Sequence, residues 1–319
     1  MKHLLSIDDL SRLELEELMR LTAIFDEVLD RDVPVVSALR GKNVVLGFFE
    51  NSTRTKMSFE LAAKSLSAGT MNFAASSSST NKGESLKDTV ETISAMEPDL
   101  FIVRHASSGV PAQITRWTDA GVISAGDGTH SHPTQGLLDV YTAGKELAER
   151  NLGSLEGKRV AFCGDLDQRV ARSSIAAFAK LGAEVLATGP ATMIPPHFEK
   201  MPIKLVPDID SVLGEIDVLY LLRIQKERKG KILLPSLREY RQRFGISVER
   251  QSKLRDDCLI MHPGPINRGV ELDEDVTNEA RSVITNKVRN GIPTRMAVIF
   301  KLLASASQVE KLVTEQGQG

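Results

Sequence analysis

The stretch KNVVLGFFENSTRTKMSFELAAKSL, residues 42–66, decides the fold. Its first part, KNVVLGFFE (42–50), is apolar and rich in β-branched and aromatic residues, and reads as a buried strand. Its second part puts Phe59, Ala62, Ala63 and Leu66 at i, i+3, i+4 and i+7, which is one face of a helix. Between the two stand a carboxylate, Glu50, and the run Ser52-Thr53-Arg54-Thr55. A strand that feeds directly into an amphipathic helix is a βα unit, and repeated βα units build parallel sheets covered by helices.

The alternation continues outward from there. DLFIVRH (99–105) and GVISAGDG (121–128) read as further buried strands. Pro133 opens a helix, its usual position being the first turn, with Leu137, Tyr141, Gly144 and Ala148 in line. Gly153 and Gly157 flank a connection, and a second series begins. KRVAFCGD (158–165) reads as a strand. RVARSSIAAFAKLGA (169–183) reads as a helix with Ile175, Phe178, Ala179 and Gly182 on one face. EVLATGP (184–190), DVLYLLR (217–223) and CLIMHPGP (258–265) add strands, and GIPTRMAVIFKLLASA (291–306) is a mostly apolar helix. The N-terminal segment is a helix capped by Ser6 or Asp8. The expected fold is α/β, with two domains that each hold a parallel sheet flanked by helices.

Bulk properties narrow the function. The chain has 319 residues, 41% hydrophobic and 26% charged, with a formal net charge of −2. That balance gives no support to a nucleic-acid partner. No run reaches the roughly 18 apolar residues of a membrane span. The acidic residues near the N-terminus do not suit a signal peptide. Cys163 and Cys258 sit in apolar runs and read as reduced core residues, so a cytoplasmic protein is expected.

Cations and hydrogen-bond donors gather where the strands end, the edge at which open α/β sheets bind ligands. The first strand ends in Ser52-Thr53-Arg54-Thr55, the next in Arg104-His105, and the third leads to His130, His132 and Gln135. In the second half the strands lead to Asp165 and Arg169, to Arg223-Ile224-Gln225, and to His262-Pro263-Gly264-Pro265. Hydroxyls and an arginine at a helix start make a phosphate cradle; a Ser52 cap beside a solvated Arg54 is the plainer alternative. There is no GxxxxGK[ST] loop, so the phosphate belongs to a small molecule rather than a nucleoside triphosphate. Two readings fit His132, a helix-start hydrogen bond or a donor to a carbonyl. Arg169, Arg223 and Gln225 suit a dicarboxylate, although RIQKERK alone also suits a solvated turn. AASSSSTNKGES (74–85) reads either as a surface loop or as a lid carrying Lys82. Asp127, His130 and His132 do not stand at a recognised metal-ligand spacing, so no metal is expected. Glu50 beside an anion site needs a cation, and Arg169 or Arg228 of the second domain is expected to provide it on closure.

Together these segments closely resemble the aspartate and ornithine carbamoyltransferases, over nearly the whole chain from Leu4. The motifs are FFENSTRTKMSFELAAKSL, NKGESLKDT, DLFIVRH and GDGTHSHPTQGLLD, in that order. LYLLRIQKER and MHPGPINRGVE resemble the aspartate branch; the Ser-Met-Gly and His-Cys-Leu-Pro segments of the ornithine enzymes are missing. The resemblance implies a carbamoyl phosphate-binding domain over 1–134, with the C-terminal helix 291–319 packing back on it, and an aspartate-binding domain over 135–290. It implies that Ser52, Thr53, Arg54, Thr55 and Arg104 hold the phosphate, and that Arg104, Thr55 and His132 act on the carbamoyl oxygen. Gln135 and the backbone of Pro263, Gly264 and Pro265 take the carbamoyl amino group or the leaving oxygen. Arg169, Arg223 and Gln225 hold aspartate, with Arg172 as the alternative to Arg169. Lys82 and Ser78 arrive from the neighbouring subunit of a homotrimer, which a dodecamer with regulatory chains or dihydroorotase could enclose. The implied reaction is attack of the aspartate α-amine on carbamoyl phosphate, in pyrimidine synthesis and without a cofactor. A carbamoyltransferase for another acceptor and a non-catalytic relative are the alternatives; a dinucleotide enzyme is disfavoured because GxGxxG is missing.

Overall fold

The computed structural model describes residues 1–74, 85–224, 234, 236–277, 281–284, 286–305 and 307–308. The expectations for Ser78, Lys82, Gln225 and Arg228 lie outside the described residues. The chain divides into two compact units, 1–138 with 289–319, and 139–288.

The first unit holds β1 (His3–Leu4), α1 (Arg12–Leu29), β2 (Asn43–Phe48), α2 (Thr53–Ser65), β3 (Gly69–Ala74), α3 (Leu86–Ser94), β4 (Leu100–His105), α4 (Val110–Ile114) and β5 (Gly121–Asp127). Then α5 (Pro133–Glu149) carries the chain into the second unit. That unit contains β6 (Arg159–Cys163), α6 (Arg169–Lys180), β7 (Glu184–Thr188), β8 (Lys204–Leu205), β9 (Val218–Leu221), α7 (Leu237–Phe244), α8 (Val248–Gln251), β10 (Leu259–Met261) and α9 (Glu274–Thr277). Finally α10 (Asn286–Leu303) returns to the first unit.

Each unit has one five-stranded parallel sheet, ordered β1-β5-β4-β2-β3 in the first and β10-β9-β6-β7-β8 in the second. The central strands are buried on both faces. All of β9 and all of β10 are buried, as parallel strands covered by helices must be.

The helices form for local reasons and are held by packing. Ser11 starts α1 with a capping box: its hydroxyl accepts the Glu14 N–H, and the Glu14 carboxylate accepts the Ser11 N–H at 2.9 Å. Ser6, expected to cap this helix, instead caps a short 3₁₀ turn, Ile7–Asp9. α2 buries Phe59, Ala62 and Ala63 as its spacing requires. Full burial of Phe59 contributes about 2 kcal/mol relative to exposure. The Arg295 guanidinium of α10 lies 4.9 Å from the Phe59 ring centroid and donates to the Ser58 hydroxyl at 2.9 Å. α10 also meets α1 through Phe25–Phe300 and the Lys301–Glu17 ion pair. The C-terminal helix therefore packs on the first unit, as expected.

Candidate active site

The strand orders create a crevice at one edge of each sheet. In the first unit the chain moves from β2 to β3 in one direction and from β4 to β5 in the other. Neighbouring β2 and β4 thus form the switch point, where ligands bind beyond the strands' carboxyl ends. In the second unit β6 leads to β7 and β9 leads to β10, so β6 and β9 form the equivalent point.

At the first switch point, β2 feeds α2, whose first turn has no acidic residue. Ser52 is the N-cap, but its side chain makes no capping hydrogen bond. Ser11, Ser85, Ser236 and Ser247, by contrast, each accept a helix N–H. The positive end of the α2 dipole is thus left without a side-chain cap, flanked by exposed Thr53 and Arg54 and half-buried Thr55. Phe48 pairs in register with Arg104 on β4. The Arg104 side chain is only 12% exposed. It donates to the Ala125 carbonyl and to Glu50, each at 3.2 Å. Glu50 was expected to reach an arginine of the second domain. Within its own unit Glu50 pairs with Arg104, which the strand register brings beside it.

The loops after β4 and β5 are locked to one another through buried Asp127. Its carboxylate accepts the Gly109 N–H at 2.7 Å and the Ser131 N–H at 3.0 Å, and meets His130 Nδ1 at 3.2 Å. Gly128 has φ +47°, and a Cβ there would lie 2.2 Å from the Ser108 hydroxyl, so only glycine fits. His132 is buried, and its carbonyl accepts the Gln135 N–H at 2.9 Å at the start of α5. His130 is exposed and engaged by Asp127, while His132 is buried. Among the described residues no three His, Cys, Asp or Glu side chains converge as a metal site.

At the second switch point, Gly164 follows β6 with φ +127°. A Cβ there would meet the Tyr240 hydroxyl at 2.8 Å and the Leu222 carbonyl at 3.0 Å. Arg169 is the first residue of α6. Arg172 pairs with Asp167 at 2.9 Å. Gln168, buried at the N-cap, donates to the Asp165 carbonyl at 2.9 Å and to the Arg223 carbonyl at 3.4 Å. It ties the two strand ends together, and nothing in its sequence position marked it out.

Glu271 is the other residue that sequence reasoning missed. It is fully buried and accepts the Ile224 N–H at 2.8 Å, the Asn267 N–H at 2.6 Å and the Asn267 amide at 2.6 Å. Burial pushes its carboxyl above the usual range in spite of these donors. The Asn267 amide also donates to the Ile224 carbonyl at 2.9 Å. The residue after Arg223 is thereby fastened to the loop of Pro263, Gly264 and Pro265. His262 Nδ1 accepts the Gly264 N–H at 2.8 Å and braces the same loop. The only cue in the sequence is an Asn and a Glu four apart in INRGVE.

Residues 2–145 match the family described as aspartate/ornithine carbamoyltransferase, carbamoyl-P binding domain, and residues 156–302 match its Asp/Orn binding domain. The chain is 46% identical over 308 residues to an aspartate carbamoyltransferase catalytic subunit of Nocardioides, covering 96% of this chain and 95% of that one. It is 47% identical to one of Desulfitobacterium hafniense, covering 96% and 97%. A crystal structure of aspartate transcarbamoylase from Trypanosoma cruzi in complex with carbamoyl phosphate and aspartate superposes with a TM-score of 0.85 at 28% identity, covering 95% and 97%. The catalytic subunit from M. jannaschii superposes at 0.80 with 34% identity, covering 95% and 98%. The chain belongs to the aspartate/ornithine carbamoyltransferase family and, within it, to the aspartate carbamoyltransferase catalytic subunits.

Proposed function

We propose that carbamoyl phosphate binds at the β2/β4 end of the first unit and aspartate at the β6/β9 end of the second. In this reading 1–134 with 291–319 is the carbamoyl phosphate-binding domain and 135–290 the aspartate-binding domain. The chain is an aspartate carbamoyltransferase. It transfers the carbamoyl group of carbamoyl phosphate to the α-amine of L-aspartate, giving N-carbamoyl-L-aspartate and phosphate, a step of pyrimidine synthesis.

Ser52, Thr53, Arg54, Thr55 and Arg104 hold the phosphate, and the incoming dianion takes the Arg104 guanidinium over from Glu50. His132, with Arg104 and Thr55, donates to the carbamoyl oxygen as charge builds on it. Gln135 and the backbone of Pro263, Gly264 and Pro265 hold the carbamoyl amino group or the leaving oxygen. Arg169, Arg223 and Gln225 grip the aspartate carboxylates. The neutral α-amine attacks the carbamoyl carbon, the C–O bond to phosphate breaks, and the departing phosphate takes the amine's proton. Orientation and charge stabilisation supply the rate, with no covalent intermediate. Lys82 and Ser78 enter from the neighbouring subunit of a homotrimer, the enzyme works in the cytoplasm, and a dodecamer with regulatory chains or dihydroorotase is the larger assembly it could join.

The observation that carries this reading is the α2 N-terminus without a side-chain cap, at the same strand end as Arg104. Its test is Arg54→Ala, which is expected to lower kcat by about 10²–10³-fold while the oligomer keeps its mass. Near-normal turnover would remove the phosphate assignment.

A further inference from the structure

We propose that the buried cluster of Asp139, Lys287, Tyr220 and Ser174 is a positioning centre for the second unit's part of the site. It rests on the assignment of Arg169 and Arg223 to aspartate. Asp139 on α5 is fully buried, and the side chain of Lys287, on α10, is 4% exposed. Their ion pair measures 2.5 Å. An ammonium has three N–H donors, and several acceptors stand within reach of this one. Among them are Asp139 Oδ1, the Tyr220 hydroxyl at 2.9 Å and the His262 carbonyl at 3.4 Å. The other Asp139 oxygen accepts from Ser174 at 2.5 Å and from Tyr220 at 2.6 Å. Burial, then the Asp139 charge, pushes the Tyr220 hydroxyl's pKa up, so it stays protonated and keeps donating. The Tyr220 ring is itself held, stacked on Phe162 with centroids 4.7 Å apart.

Three of the members reach segments that carry the proposed site. Ser174 lies on α6, which Arg169 opens. Tyr220 lies on β9, which runs on to Arg223, and is in register with Phe162 on β6 and Met261 on β10. The carbonyl that Lys287 approaches belongs to His262, immediately before Pro263. A buried ion pair is commonly no more stabilising than well-packed apolar side chains of the same volume. Hydrogen bonds with fixed directions do provide a single allowed placement of the groups they join. Four hydrogen-bonded groups therefore set α6, β9 and the 262–265 loop relative to one another within this unit.

The test is the charge-neutral, near-isosteric double variant Asp139→Asn with Lys287→Gln, with Tyr220→Phe and Arg223→Ala in parallel. Aspartate KM, carbamoyl phosphate KM, kcat, thermal midpoint and backbone amide exchange of the 262–267 segment are measured on the purified full chain. The double variant is expected to raise the aspartate KM about tenfold and Tyr220→Phe about threefold. The carbamoyl phosphate KM stays within about twofold, and exchange in 262–267 quickens. An unchanged aspartate KM in the double variant, with a raised one in Arg223→Ala, overturns the proposal even if the midpoint falls. If Arg223→Ala also leaves aspartate KM unchanged, it is the aspartate assignment that fails. Amide exchange then decides: faster exchange keeps the cluster as a positioning centre and unchanged exchange overturns it. Should the double variant not fold, Tyr220→Phe and Ser174→Ala are judged by the same criteria.

Discussion

Glu50 and Glu271 are both carboxylates beside sites proposed for anions, and the structure balances them differently. Glu50 is half-buried and meets a cation, Arg104, that a ligand can compete for. Glu271 is fully buried and accepts from the N–H groups of Ile224 and Asn267. The first is an exchangeable counter-charge and the second a fastening. Glu271→Ala leaves the buried N–H of Ile224 and the half-buried N–H of Asn267 without their acceptor. The expected cost is about 2–3 kcal/mol, read as a fall in the thermal midpoint of roughly 2–4 °C per kcal/mol. An unchanged midpoint would mean that those donors find other acceptors at no cost. Ser52, Thr53, Arg54 and Thr55, proposed to hold the phosphate, could be picked out in the sequence because strand, turn and helix are contiguous there. Gln168 and Glu271 were not, because their partners are distant in the chain, 55 positions for Gln168 with Arg223 and 47 for Glu271 with Ile224.

The strands and helices named from apolar runs formed, while elements with weaker patterns, among them β3, α3 and α7, were not anticipated. β3, GTMNFA, was not anticipated: it is an edge strand, and its Thr70 and Asn72 break the apolar run that marks a buried one. In α5, Ala148 was expected on the buried face, but Leu147 is buried and Ala148 exposed. α10 begins at Asn286, upstream of the expected Gly291, and runs through Pro293. A proline inside a helix forfeits a hydrogen bond, and packing of Met296 to Phe300 outweighs that local preference. Capping, too, obeyed the local rule at a shifted position, since the α1 box is Ser11 with Glu14. Ser11→Ala is expected to cost about 1 kcal/mol in thermal or urea unfolding at neutral pH. The Ser11 N–H, then its hydroxyl, holds the Glu14 carboxyl below the usual range. A depressed carboxyl contributes stability above its unfolded pKa and loses it as pH falls through the folded value. The difference between wild type and variant should therefore shrink in acid; a difference that grows on acidification would contradict the box.

At the scale of the whole molecule, the proposed trimer makes a prediction that single chains cannot. Lys82→Ala and Arg104→Ala enzymes, each inactive alone, should regain activity when dissociated, mixed and reassembled, because a mixed interface unites one intact Lys82 with one intact Arg104. Absence of recovery in trimers shown by mass to be mixed would argue against a shared site. The sequence by itself determined the βα alternation, the two parallel sheets and the polar residues at the strand ends, since these follow from local periodicity and from how a helix start treats anions. Only the tertiary structure decided the strand orders, and with them the β2/β4 and β6/β9 switch points. It alone paired Arg104 with Glu50 and Arg172 with Asp167, and built the cluster around Asp139. The physical reason is that burial and pairing depend on which distant segments are packed together, and no local pattern of residues encodes the partner.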